Sequence, residues 1–140
     1  MSRTCPLSLI IIFGWLATTA SVAAGQETVA EGPIGRWTNP QGSVKVETAP
    51  CDDKLCGWVV WASPRALADA VKGGSSKLIG LELLRDYHPA GPGLWRGTVY
   101  VPDMGRAFSS RIRQVDGNHM KISGCILGGL LCKSQVWKRG

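Results

Sequence analysis

The sequence predicts a small all-β protein, an antiparallel barrel of eight strands with one short helix. Three observations favour this fold class. The chain has 140 residues, which is room for one domain. Helical periodicity is nearly absent, and short β-branched and aromatic runs alternate with Gly, Pro, Asn and Asp. Eight such runs in a meander suit a closed barrel, because closure leaves no exposed sheet edge.

The first element is a predicted secretory signal peptide over residues 1–24. Arg3 gives a positive start, an apolar run spans residues 7–16, and small residues end in Val22-Ala23-Ala24. This order predicts cleavage after Ala24 or after Ala23. An uncleaved membrane anchor is the alternative, but the run is short for about 30 Å of hydrocarbon. We therefore expect one domain over residues 25–140, periplasmic or secreted, and not transmembrane once processed.

The strands are predicted in order from runs that turn residues separate. They fall at 34–38, 43–49, 55–62, 78–84, 94–101, 106–115, 119–125 and 131–138. One helix interrupts them after the third strand, where Ser63 is a capping residue, Pro64 occupies the first helical position and Gly73 ends the segment.

Four cysteines follow the signal segment, an even number that favours disulfides in an exported protein. Hairpin registers place Cys51 opposite Cys56 and Cys125 opposite Cys132, and directly opposed residues come close to bridging distance. We predict these two pairings. The cysteine spacings do not suit a zinc site, and we expect no metal and no cofactor.

The same registers predict which side chains face the barrel interior, because residues alternate between the two faces of a strand. They set Trp95 opposite Ile112, Gly97 opposite Ser110, Val99 opposite Phe108 and Val46 opposite Trp61. One hypothesis is a cavity for an apolar ligand, lined by Trp61, Trp95, Val99, Phe108 and Ser110. The alternative is that these side chains simply fill the lumen, as is usual in a barrel this small.

The outer face carries an excess of positive charge. The chain has a net charge of +6, and the registers set Arg96 opposite Arg111 and Arg113 opposite Lys121. Facing like charges destabilise a sheet by up to about 1 kcal/mol, so an anion bound there would relieve them. Alternatively, the side chains splay into water or are neutralised by a loop acid, Asp103 or Glu82. In an exported protein the expected partner is anionic lipid, glycan or a small acidic ligand rather than nucleic acid.

Catalysis finds little support in the sequence. His88 falls in a predicted loop and His119 at a turn, with no nucleophile visibly paired to either. Asp52 and Asp53 are adjacent at a hairpin tip, where solvated carboxylates are ordinary. We do not expect an enzyme.

Both ends of the domain carry features of a known fold family. Gly35-Arg36-Trp37 opens the first strand and Trp137-Lys138-Arg139 closes the last. This is similar to the lipocalin arrangement, in which a tryptophan near the start packs under an arginine from the final strand. The resemblance implies a lipocalin-like (calycin) barrel in which Trp37 and Arg139 close one end.

A more specific resemblance covers most of the chain after the signal segment. The residues that carry it are Gly35-x-Trp37, Leu55-Cys56-Gly57, Trp61, Leu78-Ile79-Gly80-Leu81, Trp95-x-Gly97, Val99-Tyr100-x-Pro102-x-x-Gly105, Gly124-Cys125 and Gln135-x-Trp137-x-Arg139. They resemble the exported bacterial family called domain of unknown function 2147. The resemblance implies an exported lipocalin-like barrel with no established activity. One departure is that residues 63–77 replace a longer segment that members of the family usually carry.

The sequence thus predicts a small exported binding protein that holds an apolar or amphipathic ligand inside a barrel. The alternative is an interaction module of the bacterial envelope with a filled core, which binds anionic lipid, glycan or a protein through its basic outer face.

Overall fold

The computed structural model describes residues 32–140, which form one closed antiparallel barrel whose eight strands pair in sequence order. The predicted signal peptide lies outside the described residues. The strands are β1 (Gly35–Thr38), β2 (Val44–Cys51), β3 (Lys54–Ala62), β4 (Glu82–Gly91), β5 (Leu94–Val101), β6 (Arg106–Asp116), β7 (His119–Ile126) and β8 (Leu131–Arg139). One helix, α1 (Pro64–Lys72), connects β3 to β4. The predicted fold class is confirmed.

The helix forms where the capping signals predict it. The Ser63 side chain accepts a hydrogen bond from the backbone N–H of Ala66, and Pro64 opens the helix, where its missing N–H costs nothing. Gly73 follows the last helical residue. A Cβ atom on Gly73 would lie only 2.0 Å from the carbonyl oxygen of Pro102, so only glycine lets the end of α1 sit this close to the β5–β6 turn.

The core lies inside the barrel, and we call the end at which β1 begins the lower end. The largest fully buried side chains of the core are Trp37, Tyr87, Leu55, Leu84, Ile112, Met120, Val46 and Val59. At the other end, the upper end, α1 and the segment after it cover part of the barrel, because Ala70 and Leu78 are buried in the same cluster. Among residues 32–140, no helix is long and apolar enough to cross a membrane.

The registers of the last four strands agree with the prediction. Trp95 pairs with Ile112, Gly97 with Ser110 and Val99 with Phe108, as predicted. The same inner-face pairing continues into β7 and β8, where Ile112 pairs with Ile122 and Met120 with Trp137. Cys125 pairs with Cys132 in the predicted disulfide. The buried side chains of Ile112, Met120 and Trp137 identify this set as the inner face.

The predicted register of β2 on β3 is wrong by two residues. The turn has two residues, Asp52-Asp53, and Asp52 adopts a positive φ of 53°, so Cys51 pairs with Lys54 instead of Cys56. Cys51 and Cys56 are therefore diagonal neighbours, and the predicted disulfide still forms between them, with 5.7 Å between their Cα atoms.

Trp61 lies on the outer face, which corrects its predicted interior position. Val46 pairs with Val59, and the next paired residues are Lys45 and Trp61, so Val60 is an extra residue on β3. Such a bulge reverses the facing of the residues beyond it. Trp61 is 44 % exposed, with the Lys45 ammonium 6.0 Å from its ring centre.

The fourth strand begins and ends later than predicted, at Glu82–Gly91 instead of 78–84. Pro89 pairs with Trp95 inside the strand, and the turn contains only Pro92-Gly93. Asp86 has a positive φ of 54°, in a register irregularity between Arg85 and His88. The strand continues beyond this irregularity through Pro89 to Gly91, residues that otherwise favour a turn.

Candidate basic-face site

Outward side chains of β4 to β7 form one surface of basic residues, which we call the basic face: His88, Arg96, Arg111, Arg113 and Lys121. They are cross-strand neighbours. His88 pairs with Arg96 and Arg96 with Arg111, while Arg113 pairs with Lys121. The two like-charge oppositions predicted from the sequence are thus present. The sequence did not place His88 here, because its strand was predicted to end before it.

No acidic side chain neutralises the basic face within the described residues. The ion pairs of residues 32–140 use Arg36, Lys54, Arg65, Lys72 and His119, and none involves Arg96, Arg111, Arg113 or Lys121. In particular, neither Asp103 nor Glu82 comes within 4.0 Å of them as an ion-pair partner. Asp86 lines the larger groove of this surface, where it pairs with Lys54 at 3.3 Å. An incoming anion would therefore meet unpaired cations.

Two grooves run through this surface. The larger has a volume of about 550 Å³ and contains Lys54, Asp86, His88, Arg96, Gly97, Thr98, Ser109, Ser110, Arg111, Ser123 and Cys125. The smaller, about 250 Å³, contains Leu94, Arg111, Arg113, Lys121, Ser123, Cys125, Cys132 and Ser134. Arg111 and Ser123 line both, so the two grooves adjoin.

The grooves arise from the size of neighbouring side chains. Thr98 pairs with Ser109, and Ser109 with Cys125, so a row of short side chains lies beside the long arginines of the next row. Ser123 and Ser134 form a further opposed pair, with their hydroxyls 2.8 Å apart. These hydroxyls can donate or accept hydrogen bonds, whereas guanidinium and ammonium groups only donate.

Of the five residues predicted to line an internal pocket, four lie on the inner face of β5 and β6. Trp95 and Val99 are half-buried against the core, Phe108 is half-buried and Ser110 is buried. Trp61 does not join them. The hydroxyls of Tyr87 and Ser110 are both buried and make no well-formed hydrogen bond within the described residues. Burial raises the pKa of Tyr87 well above its usual value, and the neighbouring Ser110 hydroxyl offsets only part of this rise.

Trp37 and Arg139 meet at the lower end. The Arg139 guanidinium lies 4.3 Å from the centre of the Trp37 ring and donates to the carbonyl oxygens of Ile34 (2.8 Å) and Gly117 (2.6 Å). Gly35 has a φ of 130°, and a Cβ atom there would lie 2.5 Å from an Arg139 nitrogen. Glycine is required at this position because the guanidinium crosses directly over the backbone.

The His119 side chain lies beside an acid, Asp116, at the lower end. Its Nδ1 lies 2.9 Å from Asp116, and hydrogen bonds from the Asn118 backbone and from His119 lower the pKa of Asp116. Within residues 32–140, no group of three or more His, Cys, Asp or Glu side chains is placed to hold a metal ion.

The Cys125–Cys132 disulfide borders the smaller groove and closes a short loop. We expect Cys125→Ser/Cys132→Ser to lower the free energy of unfolding by about 2 kcal/mol, because a short closed loop removes only moderate entropy from the unfolded chain. Urea denaturation of the oxidised protein measures this. Equal stability of the variant and the wild type would contradict it.

Comparisons with known proteins agree with this architecture. The sequence pattern of a family described as uncharacterized proteins conserved in bacteria, DUF2147, matches residues 35–139. A similar solved structure is that of protein HP1028 from Helicobacter pylori, which is described as belonging to the lipocalin family. It is 15 % identical in sequence, with a TM-score of 0.57 over 76 % of this chain and 82 % of that one. At this identity the likeness shows the fold alone. Among curated proteins, none matches the sequence.

Proposed function

We propose that this chain, which belongs to the DUF2147 family of uncharacterized proteins conserved in bacteria, is a binding protein that holds an anionic ligand on its basic face. The observation that carries the proposal is the pair of opposed arginines, Arg96 and Arg111, in a groove where no acidic side chain of residues 32–140 forms an ion pair with them. Opposed like charges cost the sheet free energy, and a bound anion offsets that cost.

The composition of the grooves favours an acidic glycan as the ligand class. Cations alternate there with the hydroxyls of Thr98, Ser109, Ser123 and Ser134, which suit a ligand that carries both acid groups and hydroxyls. Single-stranded nucleic acids are held by aromatic platforms, and the grooves contain no Phe, Tyr or Trp.

The length of the site favours an extended ligand. The grooves run from Lys54 on β3 to Ser134 on β8, which is five strand spacings and roughly 24 Å of arc. A single phosphate would occupy only a small part of this length.

We further propose that the protein works outside the cytoplasm, in the bacterial periplasm, and without catalysis. The predicted signal peptide and the two disulfides support export. The two histidines contact no cysteine or serine nucleophile in the hydrogen bonds of the described residues, which supports binding rather than turnover.

The test is to measure binding of polygalacturonate by calorimetry at several salt concentrations. We expect affinity to fall as salt rises, because exposed charges are screened. Arg96→Gln/Arg111→Gln should bind at least about tenfold more weakly, since each charge-assisted hydrogen bond contributes about 1.5–3 kcal/mol.

The matched control is Arg65→Gln/Arg106→Gln, which removes the same charge from two arginines outside both grooves. We expect it to bind like the wild type. Equal losses of affinity in the two variants would mean that binding depends on the net charge of the protein and not on the basic face. Absence of wild-type binding would contradict the acidic-glycan proposal.

A second candidate is an apolar or amphipathic ligand inside the barrel. The buried Tyr87 and Ser110 hydroxyls favour it, because a polar group of the ligand would satisfy them. An apolar fluorescent probe tests this candidate: its signal should rise independently of salt and fall in Ser110→Val. A salt-dependent signal that Arg96→Gln/Arg111→Gln abolishes would assign the probe to the basic face instead.

A further inference from the structure

Large apolar side chains are exposed together at the upper end of the barrel. They lie on α1, on the segment before β4, on the β5–β6 turn, on the β7–β8 connection and at the start of β8, all of which are at this end because the strands run alternately up and down. We call this set the apolar end: Leu67, Val71, Ile79, Met104, Leu130 and Leu131. Leu130 is 88 % exposed and Val71 60 %.

The lower end differs in composition. Its connections are Asp52-Asp53, Pro92-Gly93 and Gly117-Asn118, which are polar or turn-forming residues. Ile34 and Val115 are exposed there, two side chains against the six of the apolar end. Scattered single exposures are normal on a soluble protein, whereas a concentration at one end marks an interaction surface.

The orientation of α1 strengthens this conclusion. A surface helix normally turns its large apolar residues toward the core. In α1 the small residues Ala66 and Ala70 pack on the barrel, while Leu67 and Val71, four residues apart on one face, are exposed. The barrel itself therefore does not use the apolar stripe of this helix.

Basic residues lie close in sequence to the exposed apolar side chains. Arg65 and Lys72 flank the stripe of α1, Lys77 precedes Ile79, Arg106 follows Met104 and Lys133 follows Leu131, each within two residues, and Lys133 is three residues from Leu130. Two acids are also present: Asp69 pairs with both Arg65 and Lys72, and Asp103 adjoins Met104. Lys77, Arg106 and Lys133 make no ion pair among the described residues.

We propose that the apolar end docks on an anionic lipid surface. Its apolar tips would enter the boundary between headgroups and acyl chains, with the helix lying in the plane of the surface. The neighbouring lysines and arginines would meet the lipid headgroups, where each cation near an anionic membrane adds to binding. A protein partner would match the apolar residues less specifically, because they stand on separate projecting segments with cations between them.

This docking is separate from the proposed glycan site. The basic face lies on the outer sides of β4 to β7, whereas the apolar end consists of the upper connections. A protein built in this way would hold a lipid surface with its upper end and an acidic glycan along its side.

The test is co-sedimentation of the disulfide-bonded protein with vesicles of phosphatidylethanolamine and phosphatidylglycerol, and with vesicles of phosphatidylcholine alone. We expect sedimentation with the anionic vesicles. Leu130→Ser/Leu131→Ser should lower the partition coefficient at least about tenfold, because each leucine loses most of its apolar transfer free energy. Both side chains are exposed, so the variant should fold.

Val115→Ser/Val136→Ser is the matched control, with two exposed apolar residues changed outside the apolar end. It should sediment like the wild type, as should Arg96→Gln/Arg111→Gln, whereas Arg65→Gln/Arg106→Gln should bind more weakly. Equal losses in the two serine variants, or no sedimentation of the wild type, would overturn the proposal. The proposal would also be overturned if the wild type formed a concentration-dependent dimer that Leu130→Ser/Leu131→Ser abolishes and Val115→Ser/Val136→Ser does not. The apolar end would then bind a second copy of the chain.

Discussion

Trp37→Ala is expected to lower the free energy of unfolding by about 3–5 kcal/mol, the usual cost of removing a fully buried tryptophan. The Trp37 side chain is 0 % exposed, and its indole N–H donates to the Pro33 carbonyl (3.0 Å) and to the Thr48 hydroxyl (3.1 Å). Alanine would leave a cavity beneath Arg139 and remove these hydrogen bonds. Domains of this size are stable by about 5–15 kcal/mol, so most of the stability would be lost. Urea denaturation followed by far-UV circular dichroism measures the change.

Trp61→Ala is the matched control for this prediction. It removes the same side chain from an outward position that is 44 % exposed, and we expect a loss below about 1 kcal/mol. A loss as large as that of Trp37→Ala would mean that Trp61 belongs to the core. A small loss for Trp37→Ala would contradict the closing role of the tryptophan at the lower end.

The sequence was informative where hairpins are regular. In β5 to β8 the pairing of Trp95 with Ile112, and of Cys125 with Cys132, followed from turn length and from the need to keep apolar residues on one face. The opposed arginines of the basic face followed from the same registers, because outward residues alternate with inward ones. The candidate site was therefore predicted in its main residues.

Irregular pairing is what the sequence did not indicate. Alternation assumes that each residue has one partner, and the extra residue Val60 breaks this rule, which turns Trp61 outward. The positive φ angles of Asp52 and Asp86 also mark places where the prediction failed. Asp52 lies in the β2–β3 turn, which is shorter than predicted, and Asp86 lies in β4, which is longer than predicted. The prolonged strand brings His88 of β4 beside Arg96 of β5. The predicted site therefore lacked its contribution from β4.

The apolar end could not be predicted from the sequence, because the pattern of α1 is that of any amphipathic helix. Periodicity shows that Leu67 and Val71 share a face, and the usual expectation is that this face is buried. Which face packs on the barrel depends on how closely the helix approaches it. The small side chains of Ala66 and Ala70 and the absence of a side chain at Gly73 allow a close approach, and this approach leaves the large residues outside.

Gly73→Ala should therefore disturb both the fold and the apolar end. The new Cβ would lie 2.0 Å from the Pro102 carbonyl oxygen and 2.6 Å from the Asp103 carbonyl carbon. Both atoms belong to the backbone and cannot rotate away, so α1 must move off the β5–β6 turn. We expect a loss of about 3 kcal/mol in the free energy of unfolding, at the upper end of the usual range for overpacking. Urea denaturation measures this loss.

Gly117→Ala distinguishes this effect from a general cost of replacing glycine. Nothing lies within 4 Å of a Cβ atom at Gly117, and we expect its stability to equal or slightly exceed that of the wild type, because alanine restricts the unfolded chain. If Gly73→Ala displaces α1, the stripe of Leu67 and Val71 shifts relative to the β5–β6 turn, and binding to anionic vesicles should weaken under conditions where the variant is still folded. Unchanged stability of Gly73→Ala would contradict the close approach of α1. Lost stability with full vesicle binding would show that the helix is not part of the docking surface, and would leave the β5–β6 turn and the β7–β8 connection as its apolar contacts.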